Sequence, residues 1–543
     1  MKGFASLFLF CLLFQTLPAQ VNFTDSNLPI LVVTVSEGQA IVDEPKVDAH
    51  LGIVNKDEGQ RNRMSDPFNE YDGKIGIELR GASSQGFDKK SYSFETRKED
   101  GSNKNVSLLD MPKENDWVLH GPFSDKSLMR NAIIYTLAGW TMEYAPRPRF
   151  CELVLDGDYK GVYLLTEKIK RDKNRVDIAK LSPDENEGDD LTGGYILKLD
   201  KTEGSNNDGW SSTFPPYPGA TQPTTFLYHY PKPDKISEAQ KTYIASFMDD
   251  FESALVAPTF KDPDIGYRKY IDVPSFIDFM FINEIGKNID AYRLSTFMYK
   301  DKDSKGGKLK MGPVWDFNLA IGNVNYCFGG GNTGWALDFN NFCPDDYWVV
   351  PFWWKRLWED EAFLEEAKTR WFALRDAILS DERVMSLVDS LASLLDEAAQ
   401  RNFQRWPVLS SYVWPNNFVG ASYPAEISYL RNWLQDRLRW MDANIAGFNV
   451  PQFDPTAYFA PKVYPNPTVG EVKFEYFVEK GTEVRIRIYN SVGQLMQELQ
   501  NSAENENGVN SAIWQAGSAQ AGVYFFTLWY GDERIQSGKI IRQ

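Results

Sequence analysis

The feature that most restricts this chain is a change of hydrophobic period partway along it. Residues 21–200 alternate apolar and polar side chains in short runs, the period-two signature of half-buried strands. "GKIGIELRG" and "KKSYSFETR" alternate in this way, and "LPILVVTV" is a continuous apolar strand candidate. "RFCELVLDGDYKGVYLLTEKI" predicts two strands around a tight turn at Asp156–Gly157, because both residue types tolerate positive φ. A helix is expected over "DKSLMRNAIIYTLAGWTM", with Leu128, Ala132 and Leu137 on its buried side. "KTEGSNNDGWSSTFPPYPGATQPT" has little that forms a regular element and reads as an inserted loop or a lobe boundary. The period then becomes helical, over 235–258, 275–287, 351–379, 381–404 and 422–445. Leu430, Trp433, Leu438 and Trp440 make the last of these a core helix.

A second change comes at "VPQFDPTAYFAPKVYPNPTVGEV", where closely spaced prolines stop helices and mark a linker. After it, "EVKFEYFV", "TEVRIRIYN", "VNSAIWQA", "GVYFFTLWY" and "RIQSGKIIR" alternate and predict a small β-sandwich without convergent acids, histidines or cysteines. The expected organisation is a signal peptide over 1–20, a strand-rich segment over 21–234, a helical segment over 235–445, a linker over 446–462 and the sandwich over 463–543. The fold class is α+β. The signal assignment rests on Lys2, the short apolar run Phe4–Phe14 and the small residues before Gln20. It predicts export to the medium or the outer cell surface after the peptide is removed. No later run is apolar enough to predict a transmembrane span in the mature chain.

The net charge of −17 argues against a broad nucleic-acid-binding face. Cys327 and Cys343 flank a Gly/Asn-rich loop, and in an exported chain their pairing is expected. Cys151, in the strand-like "RFCELVL", reads as a buried thiol. With three histidines and no cysteine pair at ligand spacing, zinc is not expected.

Five blocks, in order, resemble the CotH family: "LRGASSQGFDKKSYSFETR", "LMRNAI", "ELVLDGDYKGVYLLTEKIKRDKNRVDI", "NIDAYRLSTFMYK" and "GPVWDFNLAIGN". The resemblance covers about residues 28–445. It implies an atypical protein kinase with a two-lobed core, a strand-rich first lobe and a helical second lobe. ATP, with Mg²⁺ or Mn²⁺, and an unidentified protein acceptor are the implied partners. The pieces "YPNPTVGEV", "IYNSVGQLM" and "AGVYFFTL" resemble a type 9 secretion system type A sorting domain, which implies handling by outer-membrane secretion machinery.

Phosphoryl transfer needs carboxylates for the metal, a basic group at the phosphates and an acid near the acceptor hydroxyl. Asp290 and Asp316 lie 26 positions apart, joined by "STFMYK", a charged turn and "KLKMGPVW", a hairpin-like pattern. The resemblance gives Asp290 the catalytic role and Asp316 the metal. It puts Asn318 where the family often has a second aspartate, and Ser295 where it often has asparagine; both are expected beside the metal. Lys198 in "GGYILKLD" is the expected phosphate contact, with Lys90 and Lys168 as competitors. Arg80, Glu167 and Trp315 are further nucleotide-side candidates, and Arg130 and Asn131 are weaker ones. Ordinary roles compete throughout: Asp290 as a cap, Asp316 in a turn, Lys198 on the surface, Trp315 in the core. Two other functions stay open, a surface structural protein that kept the fold with weak or no turnover, and a glycan-binding adhesin using the 326–358 loop and Trp335.

Overall fold

The computed structural model describes residues 21–36, 38–57, 59–202, 208–447, 461–478, 483–501 and 508–543. The expected signal peptide and most of the expected linker lie outside the described residues. The chain divides into two compact units. One comprises residues up to 132, with 147–168 and 386–429; the other comprises 133–146, 169–385 and the remainder from 430.

In the first unit seven strands close into a barrel: β1 (Ile30–Val35), β2 (Val47–Val54), β3 (Tyr71–Arg80), β4 (Ser91–Thr96), β5 (Asp116–His120), β6 (Pro148–Leu155) and β7 (Asp158–Glu167). Their order is β6-β7-β5-β4-β3-β2-β1. The closing β1–β6 pair is parallel, running from Ile30 opposite Glu152 to Val33 opposite Leu155. Alternate residues fill the interior: Leu31 and Val33, Leu51 and Ile53, Ile75 and Ile77, Trp117 and Leu119, Cys151 and Leu153, Tyr163 and Leu165. Cys151 is the buried thiol expected of it. The β6–β7 turn is the predicted one, with Asp156 at φ 50° and Gly157 at φ 76°.

The predicted first helix is α1 (Arg130–Thr141), shorter than the pattern implied. Leu128 is buried but precedes it, held at φ 65° in a turn. The Asp125 carboxylate organises that turn, accepting from the backbone N–H of Ser127 at 3.1 Å and of Arg130 at 2.9 Å.

In the second unit an antiparallel sheet is built from β8 (Tyr195–Leu199), β9 (Gly209–Ser211), β10 (Thr225–Tyr230), β11 (Thr296–Lys300) and β12 (Leu309–Met311), in the order β9-β10-β8-β11-β12. The stretch read as an irregular loop therefore contributes the short edge strand β9. Its helices are α2 (Glu238–Val256), α3 (Val273–Gly286) and α4 (Glu361–Arg375), while α5 (Asp381–Arg405) belongs mostly to the first unit and α6 (Tyr423–Asn444) mostly to the second. α2 starts on a capping box formed by Ser237 and Gln240. α3 starts on Asp272, with Pro274 in its first turn, and buries nearly its whole circumference. The helix expected over 351–379 is two: Trp353–Leu357 and α4. The Asp360 carboxylate starts the second by accepting from Ala362 N–H at 3.0 Å. No described helix is long and apolar enough to cross a membrane.

The C-terminal strands form two sheets. One holds β13 (Lys462–Tyr464), β14 (Glu471–Val478) and β17 (Gly508–Gln515), in the order β13-β14-β17. The other holds β15 (Val484–Tyr489), β16 (Leu495–Asn501), β18 (Gly522–Tyr530) and β19 (Glu533–Arg542), in the order β16-β15-β18-β19. Val472, Phe474 and Tyr476 of the first sheet share a core with Ile486, Ile488, Phe526 and Leu528 of the second, which makes a sandwich. Sequence patterning missed β13 and β16.

Candidate functional site

The C-terminal end of α3 joins two of the blocks picked out in the sequence. A Cβ on Gly286 would lie 3.3 Å from side-chain atoms of Ala320, Phe317 and Ile134, so the 317–320 segment presses directly on this end. Ile321 N–H donates to the Gly286 carbonyl at 2.7 Å. The segment that begins at Asp316 is thus bonded to α3 four residues before Asp290. Between them Lys287 ends the helix in the left-handed region, at φ 39°.

Asp290 opens a tight turn, its carbonyl accepting from Leu294 N–H at 3.0 Å. Tyr292 at φ 68° and Ser295 at φ 46° bend the chain into β11. Asp316 is likewise at φ 63°. Left-handed non-glycine residues are costly and gather where the surroundings fix them, often at functional sites. The Asp316 N–H donates to Tyr135 Oη at 3.1 Å, and the Asn318 carbonyl accepts from Asn323 Nδ2 at 2.8 Å.

The Asp290 carboxylate retains 19% exposure and is held by a buried arginine, Arg293, whose Nη2 donates to it at 2.9 Å. Arg293 is itself fixed: Nη1 reaches the Trp348 carbonyl at 3.0 Å, Nε reaches the Ile289 carbonyl at 3.0 Å, and the guanidinium lies 3.9 Å from the Phe339 ring centre. Burial pushes the Asp290 carboxyl above its ordinary range, against the pull of Arg293 and Lys201; Asp200 and Asp346 push the same way as burial.

Lys198, in β8, stands opposite Phe297 of β11 and pairs with Asp200 at 3.3 Å. Ile196 and Phe297 belong to a small cluster against which Trp315 packs, so Lys198 and Trp315 belong to one sheet face. Trp315 also stacks on Tyr135, ring centres 5.8 Å apart, and is only half-buried.

Arg80 and Glu167 belong to the first unit. Arg80 ends β3. Glu167 is fully buried at the end of β7, where Arg147 Nη1 donates to its two oxygens at 2.8 and 2.9 Å. The buried Arg130 pairs with Asp125 at 2.6 Å.

Among the described residues no group of three or more His, Cys, Asp or Glu side chains is arranged to hold a metal ion. Cys327 and Cys343 are bonded, as their spacing in an exported chain predicted. Trp335 overturns one expectation. It is 8% exposed and packs between Trp358 and Trp440, at 5.8 and 4.8 Å, so it offers no ring face to a sugar. Sequence reasoning missed Arg293, whose only signal is an acid–base pair at i, i+3, and Asp346, which carries none.

Residues 77–441 match the model of the CotH kinase protein family, about two thirds of the chain. The chain belongs to this family. The match takes in every nucleotide-side, catalytic and metal candidate of this CotH chain, from Arg80 to Asn318. Residues 462–543 match the secretion system C-terminal sorting domain, so the sandwich is the sorting module of a secreted or cell-surface protein. No curated protein matches the chain.

Proposed function

We propose that this CotH-family chain is an exported, kinase-like phosphotransferase that moves the γ-phosphoryl group of ATP to a protein hydroxyl. The observation that carries the reading is the junction at Gly286, which ties the Asp316 segment to the helix end that leads into Asp290. Asp290 receives or orients the acceptor proton. Its upward shift by burial suits a proton acceptor, and Arg293 keeps the carboxylate aimed. Lys198 meets the phosphates as a point charge once it leaves Asp200. The half-buried Trp315 offers a ring edge to the nucleotide.

Asp316, Asn318 and Ser295 would hold Mg²⁺ or Mn²⁺. One carboxylate, one amide oxygen and one hydroxyl are hard donors of the type such ions accept, with phosphate oxygens and water completing the shell. When bound, the ion neutralises charge on the transferring phosphoryl group. Arg80 and Glu167 enter no step of this reading. The kinase-like two-lobed arrangement, removal of a signal peptide and delivery by type 9 outer-membrane machinery complete the proposal.

The test is transfer of labelled γ-phosphate to protein, comparing wild type with D290A and D316A. Loss in both variants is expected; equal incorporation in all three removes these residues from catalysis. One observation favours a second reading, a surface structural protein with weak or no turnover. Asn318 and Ser295 lack the charge that a second carboxylate would give the ion, so the donor set is weak. Calorimetry with ATP and Mn²⁺ separates the two, since absence of binding leaves the structural role.

A further inference from the structure

β8 and β11 run antiparallel, and their register carries the chain toward Asp290. Lys198 stands opposite Phe297, and Leu199 opposite Thr296, the first residue of β11. Asp200 and Lys201 therefore follow at the end where the 290–295 turn enters β11, while Lys198 lies further back along the strand. Both residues act on the Asp290 carboxyl: Lys201 pulls it down and Asp200 pushes it up. Lys201 is also held in place. Its backbone N–H donates to Asp200 Oδ1 at 2.9 Å, and its Nζ lies 5.3 Å from the centre of the Trp348 ring. The Trp348 N–H donates to Asp346 Oδ1 at 2.9 Å, and its carbonyl accepts from Arg293 Nη1. One tryptophan thus carries Lys201 on its ring and, on its backbone, the arginine that aims Asp290.

The pairing of charges singles out Lys201. Lys198 pairs with Asp200 at 3.3 Å, and Arg293 pairs with Asp290 at 2.9 Å and Asp346 at 3.4 Å. Among the described residues the half-buried Lys201 ammonium has no carboxylate and no hydrogen-bond acceptor, only the ring. A phosphoryl group can draw Lys201 off the ring without leaving any charge uncompensated. Drawing off Lys198 strands the Asp200 carboxylate beside the incoming anion, and drawing off Arg293 strands Asp290 and Asp346. Lys201 is the cation that this group of charges can lend to a substrate at least cost.

We propose that Lys201 contacts the oxygens of the ATP γ-phosphoryl group on the Asp290 side, with Lys198 serving the phosphates further from Asp290. The inference rests on the phosphotransferase reading above. Lys201 supplies a point charge where negative charge collects on the transferring group. Trp348 is then a positioning residue, since its ring keeps the ammonium beside Asp290 before the nucleotide arrives.

The test is calorimetric titration of the full chain with ATP and with ADP, each with Mn²⁺, in wild type and Lys201→Gln. The two nucleotides differ by the γ-phosphoryl group alone. The expected result is ATP binding weakened about tenfold in Lys201→Gln, a loss of ~1.4 kcal/mol, with ADP binding changed less than about twofold. The ADP titration also reports that the variant is folded. A lysine that only props the fold moves both nucleotides together or neither, and either outcome overturns the inference. A wild-type chain that binds neither nucleotide removes the phosphotransferase reading and this inference with it, whereas an unchanged preference for ATP in Lys201→Gln removes Lys201 alone.

Discussion

Replacing Arg437 by methionine tests how the candidate site is held in shape. Arg437 and Glu284 are both fully buried and pair at 3.0 Å. Glu284 Oε1 also accepts from Tyr292 Oη at 2.9 Å, and Tyr292 is a left-handed residue of the Asp290 turn. Burial pushes the Glu284 carboxyl up and the Arg437 guanidinium down to about 10, so each needs the other to stay charged. Removing one partner of a buried pair costs about 3–5 kcal/mol, because the other charge is left uncompensated. The loss of the Asn332 and Gly334 carbonyl bonds adds about 1 kcal/mol each at most, less after relaxation. We expect Arg437→Met to cost about 4 kcal/mol, measured as the shift in urea midpoint by tryptophan fluorescence. Adding Glu284→Gln should restore roughly 2 kcal/mol by removing the stranded charge. A loss below about 1 kcal/mol, with no recovery in the double variant, refutes the claim that this pair organises the turn.

Further outcomes follow from other buried groups. Glu252 accepts from Ser212 Oγ at 2.6 Å and Trp353 Nε1 at 2.8 Å, and burial pushes its carboxyl up to about 8. Its folded value lies above the unfolded one, so the folded state keeps the proton. The associated stability is complete below the ordinary glutamate value of 4.5 and is lost as pH rises through about 8. Glu252→Gln should flatten that decline, which the shift from 4.5 to about 8 puts at about 5 kcal/mol in all, and be the more stable protein above pH 8, read by denaturation at several pH values; parallel pH profiles would contradict this. Replacing Cys327 and Cys343 by serine opens a loop of 16 residues and should cost about 2–3 kcal/mol. Hydrogen exchange should speed most in 327–343, and unchanged exchange there would count against a fixed loop.

Local pattern made much of the fold legible. The Asp156–Gly157 turn and the edges of α2, α3, α5 and α6 follow from turn chemistry and period alone. Barrel closure was not legible, because β1 meets β6 across more than a hundred residues and parallel pairing leaves no local turn signal. The single helix read over 351–379 failed at Asp360, whose capping carboxylate outweighs continuous apolar spacing. Leu128 fitted a helical face by spacing yet sits in the turn before α1, where Asp125 captures the backbone. At the site, "NIDAYRLS" and "PVWDFN" stood out by residue type, but their joining through Gly286 depends on packing. Trp335 looked like a surface aromatic in a Gly-rich loop; two other tryptophans from distant segments bury it. The Gly330 and Gly334 carbonyls are held by Trp433 and Arg437, 103 residues away in each case, and no local pattern announces this.

The central claim is that Asp316 holds the metal while Asp290 faces the transferring phosphoryl group. The most direct measurement is a crystal structure of the chain soaked with ATP and Mn²⁺. The account predicts the ion about 2.1 Å from an Asp316 carboxylate oxygen, with Asn318 or Ser295 completing the protein ligands and the γ-phosphate between Lys198 and Asp290. Nucleotide bound elsewhere, or an ion that leaves Asp316 without a ligand bond, would contradict it.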